Sequence, residues 1–245
     1  MSPTEWHIRD YVIGRRVAGG ATSDVYSGHH AATGEPVAVK VLGSKHCLHV
    51  EVVARFLNEA QALQELRHPH LVKALGSGLL PEGRPFMILE WLPVDLHQAL
   101  SRAGGRRPLQ HCAQIIRQLA DALAMLHSRG LVHRDLKPAN VLMARQQPGV
   151  WDVKLADLGL AKRLADNSSL PSALPVSTAG NALLGTWDYM APEQWIRSKS
   201  VDSKADVYSL GVLWFHLLAG RLPFIAGEQK DLMCQHLLEP PPMQL

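Results

Sequence analysis

The chain has 245 residues, 47% hydrophobic and 19% charged, and its 25 Lys+Arg against 22 Asp+Glu give a formal net charge of +3. That much apolar surface offsets the entropy of ordering and excludes a mainly disordered state, while the slight basic excess does not suggest nucleic acid as a partner. Three cysteines, Cys47, Cys112 and Cys234, without any Cys-x-x-Cys spacing argue against a disulfide scaffold or structural zinc site and fit a reducing, cytoplasmic compartment.

The N-terminal MSPTEWHIRDYV has no basic leader followed by an apolar run, so no signal peptide is expected. The patterning then predicts strands at Tyr11–Val17, Val25–Ser27 and Pro36–Leu42, separated by Gly- and Thr-containing turns. From Val52 to Leu66 the period becomes helical, with Val52, Phe56, Leu63 and Leu66 on one stripe, and His68-Pro69 closes it. Strands are predicted at Leu71–Gly76 and Pro85–Glu90, with Trp91–Pro93 as a connector. A long helix follows over His111–Arg129, ended by Gly130. Short strands are expected at Val141–Met143 and Val153–Ala156, then a polar segment from Asp166 to Asn181. Val207–Ala219 is apolar almost all round and predicts a buried central helix, ended by Gly220 and Pro223. The most apolar stretch, Gly211 to Gly220, is about half the roughly 20 residues a membrane span needs and is interrupted by His216, so no membrane segment is expected. The last predicted helix is Asp231–Leu238. A small β-rich lobe with one main helix, followed by a larger helical lobe, is the expected α+β architecture.

Two charges stand out in the small lobe. Lys40 closes Val-Ala-Val-Lys inside an apolar strand, on the face of Ala38, and Glu59 lies on the apolar stripe of the next helix. A buried charge needs a partner, and each is the obvious partner of the other. The turn Ala18-Gly19-Gly20-Ala21-Thr22-Ser23-Asp24-Val25 lies between two strands, and glycines there let backbone N–H groups approach phosphate oxygens. The strand–turn–strand context excludes a dinucleotide fold, and no Gly-Lys-Ser/Thr element exists for a P-loop.

The large lobe carries His133-Arg134-Asp135-Leu136-Lys137-Pro138-Ala139-Asn140, then Asp157-Leu158-Gly159, then Ala191-Pro192-Glu193. With these motifs in this order the chain resembles the protein kinase superfamily, in the flavour of bacterial-type (Hanks-type) serine/threonine kinases, over Tyr11 to Leu245. The resemblance implies a two-lobed kinase domain over residues 11–245, with an N-lobe at 11–91 and a partial C-lobe at 92–245. It implies transfer of the ATP γ-phosphoryl group to Ser or Thr hydroxyls of protein substrates, including the chain's own activation segment through self-association. Asp135 would accept or orient the substrate proton. Lys137 marks serine/threonine specificity. Asn140 and Asp157 would hold Mg²⁺, or Mn²⁺ in its place. Lys40, steadied by Glu59, would contact the α- and β-phosphates under the turn formed by Val17, Ala18, Gly19, Gly20, Ala21, Thr22, Ser23 and Val25. Val25, Ala38 and Leu142 would sandwich adenine, with Leu89 as gatekeeper and Glu90 to Leu92 as the hinge. Arg134 would pair with a phosphate on Ser177 or Thr178, and Thr186 would contact Asp135 and Lys137.

The sequence departs from the family pattern at several positions. Ala18 and Ser23 replace the first and third glycines of the turn, Leu158 replaces Phe, and Trp187 is bulkier than the norm. No Arg beyond Arg221 is available to pair with Glu193, so a truncated kinase is expected, with Glu193 lacking its usual partner. The competing reading is a pseudokinase or inactive fragment acting as a scaffold; intact Lys40, Glu59, Asp135, Asn140 and Asp157 oppose a pseudokinase. A small-molecule phosphotransferase is disfavoured by Ala191-Pro192-Glu193.

Overall fold

The computed structural model describes residues 6–20, 22–103, 106–144, 150–157, 162–163, 187–196 and 201–242. These divide into two compact units, one within Met1–Arg67 and Leu71–Pro93, the other within His68–His70 and Val94–Leu245.

The first unit is a six-stranded antiparallel sheet with one long helix. Its strands are β1 (Trp6–Ile8), β2 (Tyr11–Gly19), β3 (Ser23–His30), β4 (Pro36–Leu42), β5 (Ala74–Leu79) and β6 (Pro85–Glu90), in the order β1-β2-β3-β4-β6-β5. Alternation along the interior strand β4 sorts its side chains. Val37, Val39 and Val41 enter a core with Ile8, Ile13, Leu80, Phe86 and Ile88, while Ala38 and Lys40 take the other face. β4 and β6 have the predicted limits, and β2 and β3 run longer than predicted. β1 was not expected; Trp6 secures it by meeting Tyr26 edge-on, ring centroids 5.6 Å apart.

β5 begins at Ala74 rather than at Leu71. The Glu90 side chain explains the shift: its Oε1 accepts the Lys73 N–H at 2.7 Å, while the Glu90 N–H donates to the Lys73 carbonyl at 3.0 Å. A carboxylate thus takes the hydrogen bond a neighbouring strand would offer, although Leu71 and Val72 are buried as their hydrophobicity demands. Helix α1 (Val50–Glu65) buries Val52, Phe56, Glu59, Ala60 and Leu63, the stripe that the sequence period predicts.

The second unit comprises α2 (Leu96–Ala103), α3 (Leu109–Ser128), β7 (Leu131–Val132), β8 (Val141–Met143), β9 (Val153–Leu155), β10 (Lys162–Arg163), α4 (Pro192–Ile196), α5 (Lys204–Ala219) and α6 (Gln229–Leu238). β8 pairs with β9 and β7 with β10, both antiparallel. α3 buries Cys112, Ile115, Ile116, Leu119, Ala122, Leu123 and Leu126, and Gly130 follows it with φ 69. The same helix buries Gln118, whose amide acts as a short strand: Nε2 donates to Trp151 O at 2.9 Å and Oε1 accepts from Val153 N at 2.8 Å. It fixes β9 from one side, and His70 fixes it from another, its carbonyl accepting from Leu155 N at 2.9 Å. α2 was not predicted, although its cap was available in the sequence: Asp95 Oδ1 accepts the Gln98 N–H at 2.7 Å.

The expectation that α5 is buried all round is corrected. Ala205, Asp206, Ser209, Val212, Leu213, Leu217 and Ala219 are buried, but Val207 is 61% and Trp214 42% exposed. Seven positions apart, these two fall on the same face of the helix. Among the described residues no helix is long and apolar enough to cross a membrane.

Candidate active site

In the first unit, β4 and α1 bring their two anomalous charges together. Lys40 Nζ lies 2.9 Å from Glu59 Oε1, and both residues are buried, at 9% and 6% exposure. The Phe56 ring, one helical turn before Glu59, has its centroid 6.0 Å from Nζ. Burying an ammonium without such a carboxylate beside it would be costly.

Cross-strand register decides what shares a face with Lys40. Val25 pairs with Lys40 across β3 and β4, and Met87 pairs with it across β4 and β6. Directly opposed residues project to the same side, so Val25, Ala38 and Lys40 form an apolar surface ending in an ammonium. Ala38 in turn pairs with Leu89. Among the hinge residues, Glu90 commits its N–H and carboxylate to Lys73, as described above, and Leu92 is half-buried in the connector. Val17, Ala18 and Gly19 end β2, and Ser23 and Val25 open β3. Between these strands Gly20 N–H donates to Ser23 O at 2.8 Å, and Thr22 O accepts from Gly43 N at 2.8 Å. Ala21 lies outside the described residues.

In the second unit the loop from His133 to Asn140 is irregular, and buried polar groups hold it. Asp206, at 0% exposure, sits at its centre. Its Oδ2 accepts from His133 N at 2.9 Å and from His127 Nε2 at 2.8 Å, and its Oδ1 accepts from Arg134 N at 2.8 Å. Burial alone would raise this carboxyl, but the hydrogen bond to His127, the nearby His133 and the two backbone donors hold it below the ordinary carboxylate value. His133, fully buried, directs Nε2 at Ala156 O (3.0 Å), and its Nδ1 accepts from Asp135 N at 3.3 Å.

Asp135 is therefore presented by a fixed backbone. Lys137 Nζ reaches both carboxylate oxygens, at 3.0 and 2.8 Å, and Asn140 Nδ2 donates to Asp135 Oδ2 at 2.9 Å and to its carbonyl at 2.7 Å. Since the amide nitrogen of Asn140 faces Asp135, its Oδ1 is the atom left to meet a cation. The Asn140 carbonyl also accepts from Ala156 N at 2.8 Å, which carries the loop's order to Asp157. Arg134 and Asp157 both have positive φ, 67° and 66°. Such backbone is costly for a residue with a β-carbon, of order 1–3 kcal/mol, and persists only where the surroundings impose it. Leu142, in β8, pairs with Lys154 and bridges to Asp95.

The Arg134 guanidinium is held in part by backbone of the same unit. Its Nη2 donates to Val201 O at 2.7 Å, and its Nε is buried with no partner among the described residues. Burial lowers this guanidinium's pKa, with Asp206 opposing the shift. Ser177, Thr178 and Thr186 lie outside the described residues, as do Leu158 and Gly159. Glu193 has no ion pair among the described residues, but it is only half-buried, so the cost of stranding a fully buried carboxylate does not apply. Trp187 meets Trp195 edge-on, centroids 5.5 Å apart.

Asp206, His127 and Gln194 were missed by the sequence reading. Gln194 donates Nε2 to Arg134 O at 2.9 Å and accepts from Ala191 N at 3.0 Å, tying the Ala-Pro-Glu turn to the loop. A signal existed for Asp206: it is an acid on the buried side of an apolar helix, the same anomaly that singled out Glu59.

A family model described as "Protein kinase domain" matches residues 11–242. Among curated proteins, the serine/threonine-protein kinase Pkn1 of Myxococcus xanthus is 38% identical over 231 residues, 93% of this chain and 31% of that protein. PknL of Mycobacterium tuberculosis is 35% identical over 228 residues, covering 93% of this chain and 53% of its own length. PkaA of Streptomyces coelicolor is 36% identical over 244 residues, covering 94% and 42% respectively. The chain thus spans between 31% and 53% of the length of these three relatives.

Proposed function

Because the chain belongs to the protein kinase domain family, we propose that it transfers the γ-phosphoryl group of ATP to Ser or Thr hydroxyls of proteins, its own activation segment among them. The relatives are named serine/threonine-protein kinases, which supports this reading. The observation that carries it is the Asp135 carboxylate, held by Lys137 and Asn140 on a loop anchored to buried Asp206.

Phosphoryl transfer asks for positioning and charge neutralisation more than for covalent help. The bond from the hydroxyl oxygen to γ-phosphorus forms, the bond from γ-phosphorus to the bridging oxygen breaks, and ADP leaves. Asp135 orients the acceptor hydroxyl and takes its proton. Lys137, on the same carboxylate, offers positive charge to the moving phosphoryl oxygens. Lys40, steadied by Glu59, binds the α- and β-phosphates, with the backbone of residues 17–25 over them. Val25, Ala38 and Leu142 bind the adenine faces, and the backbone from Glu90 to Leu92 meets its edge.

The oxygen donors fit a hard divalent cation, Mg²⁺ or Mn²⁺, that neutralises phosphate charge when bound. Asn140 Oδ1 and the Asp157 carboxylate would hold it. Among the described residues no cluster of three or more His, Cys, Asp or Glu could hold a metal alone. Mg²⁺ at a nucleotide site usually takes one or two protein oxygens beside phosphate oxygens and waters. Regulation through phosphate on Ser177 or Thr178, and contact of Thr186 with Asp135, belong to the same proposal, as does a cytoplasmic location.

The decisive experiment incubates the purified chain with Mg²⁺ and γ-labelled ATP, with and without a generic basic protein substrate. Labelled phosphoserine or phosphothreonine is expected, and Asp135→Asn abolishes it. Nucleotide binding without any label in the wild-type chain would favour the scaffold reading, and equal labelling by the variant would remove Asp135 from its role.

A further inference from the structure

The β2–β3 ladder is not regular at the glycine-rich turn. Its register shifts between Ile13 and Arg16, and again between Arg16 and Ala18. Each shift places an extra residue on β2, and such bulges re-aim side chains. Arg16 pairs across the ladder with Tyr26, and Gly19 pairs with Asp24, so Arg16 and Asp24 are not opposite one another. The guanidinium nevertheless reaches Asp24: Nε and Nη2 lie 2.8 and 2.6 Å from Oδ1.

The path runs over Gly19. A β-carbon at residue 19 would lie 1.8 Å from Arg16 Nη2, 2.6 Å from Arg16 Cζ and 3.2 Å from Asp24 Oδ1. The guanidinium occupies the space that any side chain at Gly19 would need. Gly19 does not have the left-handed φ that demands glycine, so a side chain there would act by displacing the end of Arg16.

We propose that Arg16, Gly19 and Asp24 form a clamp across the glycine-rich turn that sets its backbone in advance for nucleotide phosphates. This rests on the nucleotide-binding reading above and deepens it. A turn of small residues between two strands loses conformational freedom when it closes on a ligand. A cross-strand charge pair that has already removed part of that freedom raises affinity without touching the ligand. Arg16 and Asp24 act here as positioning residues. The clamp is open to solvent, with Arg16 at 57% and Asp24 at 28% side-chain exposure, so its effect is modest and weakens as salt rises.

The test compares the wild-type chain with Arg16→Met, Asp24→Asn, Gly19→Ala and the double variant Arg16→Met/Asp24→Asn. Amide hydrogen exchange of residues 17–25 is measured on the nucleotide-free chain, with β6 amides as the internal reference. Each single variant is expected to speed exchange in the turn and leave β6 unchanged, and the double variant to exceed neither single. With Mg-ATP, Arg16→Met and Asp24→Asn are each expected to raise the KM for ATP about 2–5-fold at low salt, with kcat within about twofold. Arg16→Lys should restore part of the loss, and about 0.5 M salt should shrink the difference. Unchanged turn exchange in all variants, or additive effects in the double variant, would overturn the clamp. Faster exchange with an unmoved KM would overturn the advance setting. A wild-type chain that binds no nucleotide would sink the functional reading, while the exchange data still decide whether the clamp orders the turn.

Discussion

Lys40 and Glu59 meet as an ion pair between a regular strand and a regular helix, whereas Asp135 is held by a web that runs through irregular backbone to Asp206. The first arrangement brings its two side chains together through strand register and helical phase. The second needs Asp206 to satisfy two backbone N–H groups and an imidazole at once, with Asn140 and Lys137 completing the carboxylate's surroundings. A pair can be replaced as a unit. A web fails at its centre, because every donor it satisfied is left buried and unpaired.

Activity is the largest lever on this contrast. Asp135→Asn preserves shape while removing the proposed proton acceptor, so kcat is expected to fall about 10²–10⁴-fold with little change in unfolding midpoint. A labelling assay and a urea titration on the same preparation separate the two effects. Asp206→Ala should lower stability by about 3–5 kcal/mol in urea unfolding, since it strands His127 and two backbone donors. A loss under about 1 kcal/mol would show that the web does not centre on Asp206.

The ion pair gives the next effect. Lys40→Met alone leaves the Glu59 carboxylate buried without its ammonium, and about 2–3 kcal/mol of stability should be lost. Lys40→Met/Glu59→Leu should recover most of it while remaining inactive. A double variant as unstable as the single would mean that the two charges are held by more than one another.

The smallest effect is a pH dependence confined to the second unit. Burial, with a contribution from His97, lowers the pKa of His216, whose Nδ1 lies 2.6 Å from the Tyr189 hydroxyl. Burial also lowers that of His236, whose Nδ1 lies 2.7 Å from the Tyr208 hydroxyl. Both phenols are pushed up, chiefly by burial, Tyr208 to about 12, so in each pair the phenol donates and the neutral imidazole accepts. The unfolded chain protonates these imidazoles at higher pH than the folded one. Their contribution is therefore complete above about pH 6.5 and is lost as pH falls through the lower folded values. His216→Gln and His236→Gln should flatten stability between pH 6.5 and 5 if these pairs are its source.

How much could be read beforehand follows the same division. Lys40 and Glu59 were legible because each violates the apolar period of its own element, and violations are local. The limits of β4 and β6 were legible because strand alternation is strict in a sheet's interior. The motif residues from His133 to Asn140 were legible through family resemblance, whereas what positions them was not. Asp206 is 71 residues beyond Asp135, and only the packing of α5 on α3 shows that its carboxylate meets the loop. β5 was misplaced because a Glu90 side chain replaced a strand bond, and α5 was judged buried because an apolar period does not say which faces find neighbours.

Arg134 and Asp157 occupy backbone that glycine would accept with little strain. A designer optimising the main chain alone would write glycine at both. Under the proposed function, Arg and Asp at these positions each supply a group that glycine lacks. Substituting glycine at either position would thus be an unusual trade, relaxing the local conformation while erasing the group the proposed function assigns to it.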